Sequence, residues 1–102
     1  MLIHSLSYLV ETALIDAWMK WMKEVNIPQM MQTGCFTQVK MMELLDPPSM
    51  EGTATFSIQY QMASMDTYLL FQEKYADHFD QLRTDTFQEK CLAFQTLLKE
   101  IQ

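Results

Sequence analysis

The stretch TATFSIQYQM, residues 53–62, alternates without a break. Phe56, Ile58, Tyr60 and Met62 fall on one side; Thr55, Ser57, Gln59 and Gln61 fall on the other. A period of two predicts a β-strand with one face in a core. The second face carries neutral side chains able to hydrogen-bond. Leu2 to Val10 repeats the pattern, with Leu2, His4, Leu6, Tyr8 and Val10 on one side and Ile3, Ser5, Ser7 and Leu9 on the other. Phe36 to Leu45 reads as a third strand, buried more evenly. The loop DPPSMEG, Asp46 to Gly52, joins it to the Thr53 strand, which predicts an antiparallel hairpin. Cys91 to Leu98 reads as a last strand, apolar on both sides.

Helical spacing fills the gaps between strands. From Thr12, read as an N-cap, Leu14, Ala17, Trp18, Trp21, Met22 and Val25 share one arc, with Asp16, Lys20, Lys23 and Glu24 opposite. Both tryptophans are expected to face the sheet as packing residues. Pro28 has no N–H and disfavours helix at Ile27, so this helix is expected to end or kink near Asn26. A short turn can restart at Pro28 and stop at Gly34. Ser64 is a good N-cap for a second helix with Asp66 in its first turn. Met65, Tyr68, Leu69, Tyr75, Ala76 and Phe79 share its apolar face, with Gln72 in the middle. The pattern weakens from Asp77 to Lys90, where a second short helix has room.

The order is strand, helix, strand, strand, helix, strand. Right-handed crossovers on one sheet turn this into the ferredoxin-like βαββαβ fold. The class is α+β: a four-stranded antiparallel sheet with the helices on one face, one domain over residues 1–102. Ser5, Ser7, Thr55, Ser57, Gln59 and Gln61 then point away from the helices. The outer strands add apolar side chains to that face, which water does not solvate well. Pairing two such sheets about a two-fold axis hides them. A homodimer is therefore expected, with Ser5, Ser7, Ser57 and Gln59 on the dimer face. The side taken by Lys40 and Gln95 depends on a register the sequence leaves open.

Composition narrows the functional classes. The chain has 102 residues, is 49% hydrophobic, and has a net charge of −6. A chain of this length buries roughly 65% of its extended surface, enough for a core without disulfide or metal. An acidic surface without a Lys/Arg cluster repels nucleic acid and anionic membranes, so neither is expected as a partner. The start, MLIHSLSYLVET, lacks the basic end and cleavage site of a signal peptide, and no window is long and apolar enough to span a membrane. Cys35 and Cys91 match no metal or redox spacing. The reading is two reduced thiols in the cytoplasm.

Few residues carry chemistry. No His-x-x-His, no paired cysteines and no glycine-rich loop occur, so no metal and no cofactor is expected. His4 follows the apolar side of its strand and reads as a satisfied histidine packed beside the core; His78 reads as solvated and badly angled to ligate haem. Cys35 lacks an evident base. The ten methionines mostly follow apolar stripes and read as gap fillers. Gln72, an amide on an apolar helix face, needs a partner if buried, and that partner is either protein or a bound molecule.

Across Trp18 to Phe36 the chain reads W-x-x-W-M-x(4)-I-P-x(4)-T-G-x-F. With IQY (58–60), SMDTYLLFQEKYA (64–76) and LAFQTLL (92–98), this resembles a family of short bacterial proteins classed only as a domain of unknown function. The resemblance covers nearly the whole chain. It implies a ferredoxin-like fold of the dimeric α/β-barrel type, a superfamily that includes cofactor-free monooxygenases, haem-degrading enzymes and ligand-sensing modules. It implies no particular activity. Two positions depart from the family's pattern, which often has histidine at Asn26 and Ala-Pro at Ala76-Asp77. Any acid–base role of that histidine is closed to this chain. The expected function is a cytoplasmic, homodimeric module that binds a small molecule or a partner protein without catalysis. The rival is a cofactor-free, monooxygenase-like enzyme for a small apolar or aromatic substrate between helices and sheet. His4, Tyr8, Tyr60 and Gln72 are the ligand-binding candidates, as the polar groups the enzyme reading would use, while the space between two apposed sheets of a dimer is a further natural ligand cavity.

Overall fold

A computed structural model describes residues 1–101. The described residues form four strands: β1 (Leu2–Glu11), β2 (Gln38–Glu43), β3 (Thr53–Met62) and β4 (Cys91–Lys99). They form one antiparallel sheet in the order β2-β3-β1-β4. Four α-helical segments lie between them: α1 (Ile15–Trp21), α2 (Ile27–Gln32), α3 (Met65–Lys74) and α4 (Ala76–Phe87). This is the ferredoxin-like arrangement the alternation predicts. The two longest strands are central because each has a complete apolar side to bury. Tyr8 and Val10 from β1 and Phe56, Ile58, Tyr60 and Met62 from β3 form the sheet's half of the core. Trp18, Met22, Met30, Phe71 and Phe87 cover it from the helices. Both helical layers therefore share one face.

Several expectations are corrected by the packing. Thr12 is not an N-cap: it opens a short 3-10 turn, and its N–H donates to the Gly52 carbonyl at 2.9 Å. The α-helical register is interrupted just where a kink is expected, near Asn26: α1 passes into a π-helical turn, Met22–Asn26, and α2 restarts with Pro28 in its first turn and runs to Gln32. The Ile27 N–H reaches back five residues to the Met22 carbonyl, and this wider register takes up the proline ring without breaking the rod. Gly34, at φ +77°, then ends it in the left-handed conformation only glycine adopts freely.

Trp18 is fully buried, its ring 4.8 Å from Phe56 and 5.5 Å from Tyr8. Trp21 is partly buried against the core and meets Phe87 edge-on at 5.2 Å, pinning the first helix to the end of α4. Ala17, expected on the buried arc, is exposed.

β2 is shorter than Phe36–Leu45 and is an edge strand with alternating exposure, so its burial is not even. Ser64 caps α3 as expected, accepting from the Thr67 N–H at 3.2 Å. The buried residue of α3 is Phe71, while Met65 and Leu69 are exposed. The weakly patterned segment after Asp77 belongs to a full helix, which starts at Ala76 and is longer than α3.

Strand pairing settles the two faces. Ser5 pairs with Gln59 and Thr96, and Ser7 with Ser57 and Phe94. Lys40 pairs with Gln59 and joins the outer face; Gln95 pairs with Leu6 and joins the helix face. The outer face is therefore uneven. Ile3, Leu9, Leu92, Phe94 and Leu98 concentrate its apolar side chains on β1 and β4, around Ser5, Ser7 and Thr96, while Ser57, Gln59, Gln61 and Lys40 make β3 and β2 mostly polar, with Met42 the apolar exception.

Candidate functional site

His4 is placed by the alternation of β1, which turns it towards the helices. It is only 1% exposed and ringed by aromatic side chains, with Phe71 at 5.2 Å, Phe36 at 5.8 Å and Tyr68 at 6.0 Å. Burial lowers its pKa from 6.5 to about 4, so it is neutral at physiological pH. Its Nδ1 has no hydrogen-bond partner among the described residues. The satisfied histidine expected from the strand pattern is thus corrected: Nδ1 joins Trp18 Nε1, Tyr60 Oη and Gln72 Nε2 as buried polar atoms without a protein partner among the described residues.

A cavity of about 100 Å³ opens beside it, between β1, β4 and α4. Leu6, Met30, Phe71, Phe79 and Ala93 form its apolar wall, and His4, Tyr8, Asp80, Arg83 and Gln95 supply polar groups. Arg83 is held in place from two directions. One amino group donates to the Cys91 carbonyl, and the other makes a 2.7 Å ion pair with Asp80 one helical turn back. The Arg83 side chain is 13% exposed and that of Asp80 is 70% exposed, so the cation is largely withdrawn from water and its counterion is not. Gln95 reaches the Tyr68 hydroxyl at 3.0 Å, tying β4 to α3.

Of the four sequence candidates, His4 and Tyr8 line this cavity. Tyr60 lies one strand away, wholly inside the core, and does not line it. Gln72 is half-buried on α3 with an unpartnered Nε2, also outside the lining. Burial pushes the phenols of Tyr8 and Tyr60 well above their usual range. Asn26, delivered to the core by the π turn, sits close to both phenols and donates to Met22 Sδ at 3.3 Å. Cys91 is buried, its thiol pushed up to about 11 by desolvation, which suits packing and not nucleophilic attack. Cys35 is buried as well.

Sequence reasoning missed Asp80, Arg83 and Gln95. Arg83 and Asp80 belong to the stretch where periodicity was weakest, and Gln95 needed the register. An i, i+3 acid–base pair at Asp80 and Arg83 was the signal available. It marks one helix face once that helix is known.

What the group can do chemically follows from these states. It can accept a hydrogen bond at a neutral imidazole, donate several from a guanidinium, and enclose a small apolar body. None of His4, Tyr8 and Tyr60 is held near neutrality, where acid–base catalysis works best.

The fold and the cavity define a ferredoxin-like α+β domain with a small site between sheet and helices. The chain belongs to a family described as a domain of unknown function (DUF4286), which it matches over residues 1–101. No curated protein matches it. Solved structures resemble it in fold. HapK from Hahella chejuensis shares 10% identity at a TM-score of 0.67, covering 99% of this chain and 93% of its own. An ethyl tert-butyl ether d (ethd) family protein from Bacillus halodurans also shares 10% at a TM-score of 0.67, covering 99% of this chain and all 100% of its own. A dimeric ferredoxin-like protein from an uncultured marine organism shares 9% at a TM-score of 0.66, covering 100% of this chain and 96% of its own. At such identities the likeness concerns the fold alone.

Proposed function

We propose that this chain is a non-catalytic binding module, acting as a homodimer in the bacterial cytoplasm and holding a small molecule in the cavity between sheet and helices. The observation that carries the reading is the floor of that cavity. A buried, neutral His4 with an unpartnered Nδ1 stands in the same lining as a largely buried Arg83. A largely buried guanidinium in an apolar-walled cavity can pair with the polar head of a small molecule while the walls cover the rest of it. The enzyme reading needs a group poised between protonation states near neutral pH, and burial moves the three sequence-predicted titrating candidates away from it.

The dimer reading rests on the outer face. Phe94 is 61% exposed, and Leu92 and Leu98 are exposed beside it. Apposing two outer faces about a two-fold axis would remove this surface from water and bring Ser5, Ser7, Ser57 and Gln59 into or beside the interface. Solved neighbours described as dimeric ferredoxin-like proteins support it by analogy of fold.

Native mass spectrometry of the protein purified from its own host tests both halves. The expected spectrum is a dimer carrying a small non-covalent adduct lost on activation. A bare monomer would overturn the proposal.

A further inference from the structure

The cavity's charge and size narrow what it takes. Arg83 is the only cationic side chain in the lining, because His4 is neutral there. A guanidinium has five N–H donors, and Arg83 uses one on the Cys91 carbonyl and one on Asp80. Its remaining donors have no protein partner among the described residues. Asp80 is exposed, so water weakens its charge, while Arg83 is largely withdrawn from water and its field inside the cavity is less screened. Asp80 already neutralises Arg83 in part, and its exposure leaves the cation's field towards the cavity only partly cancelled, which suits no more than one negative charge. A dianion would be over-charged for it, and a second cation would meet Arg83 unfavourably.

The volume sets the rest. About 100 Å³ is below the roughly 150 Å³ of an engineered cavity that holds benzene. The lining of Leu6, Met30, Phe71, Phe79 and Ala93 favours an aliphatic body over a polar one. From cation count, donor count and size together, we infer that the site binds a short-chain aliphatic monocarboxylate, its carboxylate on Arg83 and its hydrocarbon end against Phe71 and Phe79. This rests on the binding-module reading and gives its ligand a chemical class.

Calorimetric titration of the full chain at pH 7 with isobutyrate and isovalerate tests the inference. Isobutyramide is the neutral isostere, and phosphate and succinate are the multiply charged controls. The carboxylates are expected to bind at least about tenfold tighter than the amide and the controls, since a charge-assisted pair is lost in the first and mismatched in the second. Arg83→Met is expected to lower isobutyrate affinity by about tenfold or more. Arg83 also holds Cys91, so circular dichroism must show this variant folded. Asp80→Asn provides a second arm that leaves every Arg83 donor in place, and is expected to tighten isobutyrate binding by a few-fold, about 2 to 5. Equal affinity for acid and amide, or no carboxylate binding by the folded wild type, would overturn the inference. So would an unchanged affinity in folded Arg83→Met, or weaker binding in Asp80→Asn. Should native mass spectrometry find a retained neutral molecule in the same experiment, the module stands and the carboxylate assignment falls. A bare monomer there removes the module itself.

Discussion

His4 shows how one residue makes stability depend on pH. Its pKa is about 4 in the folded chain against an ordinary 6.5. Between those values the unfolded chain takes up a proton that the folded chain does not. Stability is therefore full above about pH 6.5 and declines as pH falls towards 4, by about 3 kcal/mol at most. Urea titrations at pH 7 and pH 4.5 are expected to show that loss, and His4→Phe is expected to remove this component of it. An unchanged pH profile in that variant would place the sensitivity elsewhere. The burial of His4 was legible from the sequence, because its strand partners are Leu2, Leu6, Tyr8 and Val10. Arg83 was not. A charged residue on a helix of weak contrast gives no hint that its side chain turns inward, and Leu69 drew the eye to the wrong side of α3, away from Phe71.

At the scale of elements, capping and register decide where helices begin and how they continue. Ser64 is the side-chain cap of α3, with its hydroxyl accepting the Thr67 N–H. Ser64→Ala is expected to cost about 1 kcal/mol, read as a lowered thermal midpoint with unchanged secondary structure at 25 °C. This feature was visible in the sequence because a Ser followed by an acidic first turn has a local cause. The π turn was not visible. Pro28 predicts an end or a kink by its missing N–H, but not the wider register at which tertiary packing of Met22 and Met30 on both sides of it holds the rod together. β2 likewise reads longer in sequence than it is. Phe36 is a core residue without being part of the strand, since hydrophobic spacing reports burial before it reports pairing.

The whole molecule follows from the long central strands, and here the sequence was most informative. Clean alternation in β1 and β3 fixes which sides are buried, and the order of elements then leaves few ways to close one sheet. What remained open was the register, hence the membership of Lys40 and Gln95. The concentration of the outer face's apolar side chains on β1 and β4 also needed the pairing. The association proposed for that face has a direct test. Phe94→Glu puts a charge among those apolar side chains without touching the core. It is expected to convert dimer to monomer in light scattering at micromolar concentration, with the circular dichroism spectrum retained. A dimer of wild-type affinity in that variant would put the contact elsewhere.

β4 serves two surfaces at once. Ala93 and Gln95 line the cavity, while Leu92 and Phe94, interleaved with them, look out from the opposite side. A pleated backbone cannot slide one set of side chains and leave the other still. A guest too bulky for the inner chamber must therefore disturb the outward-looking side chains as it widens the space, so tailoring the protein for larger guests and keeping the association proposed for its outer side are competing demands on the same nine residues.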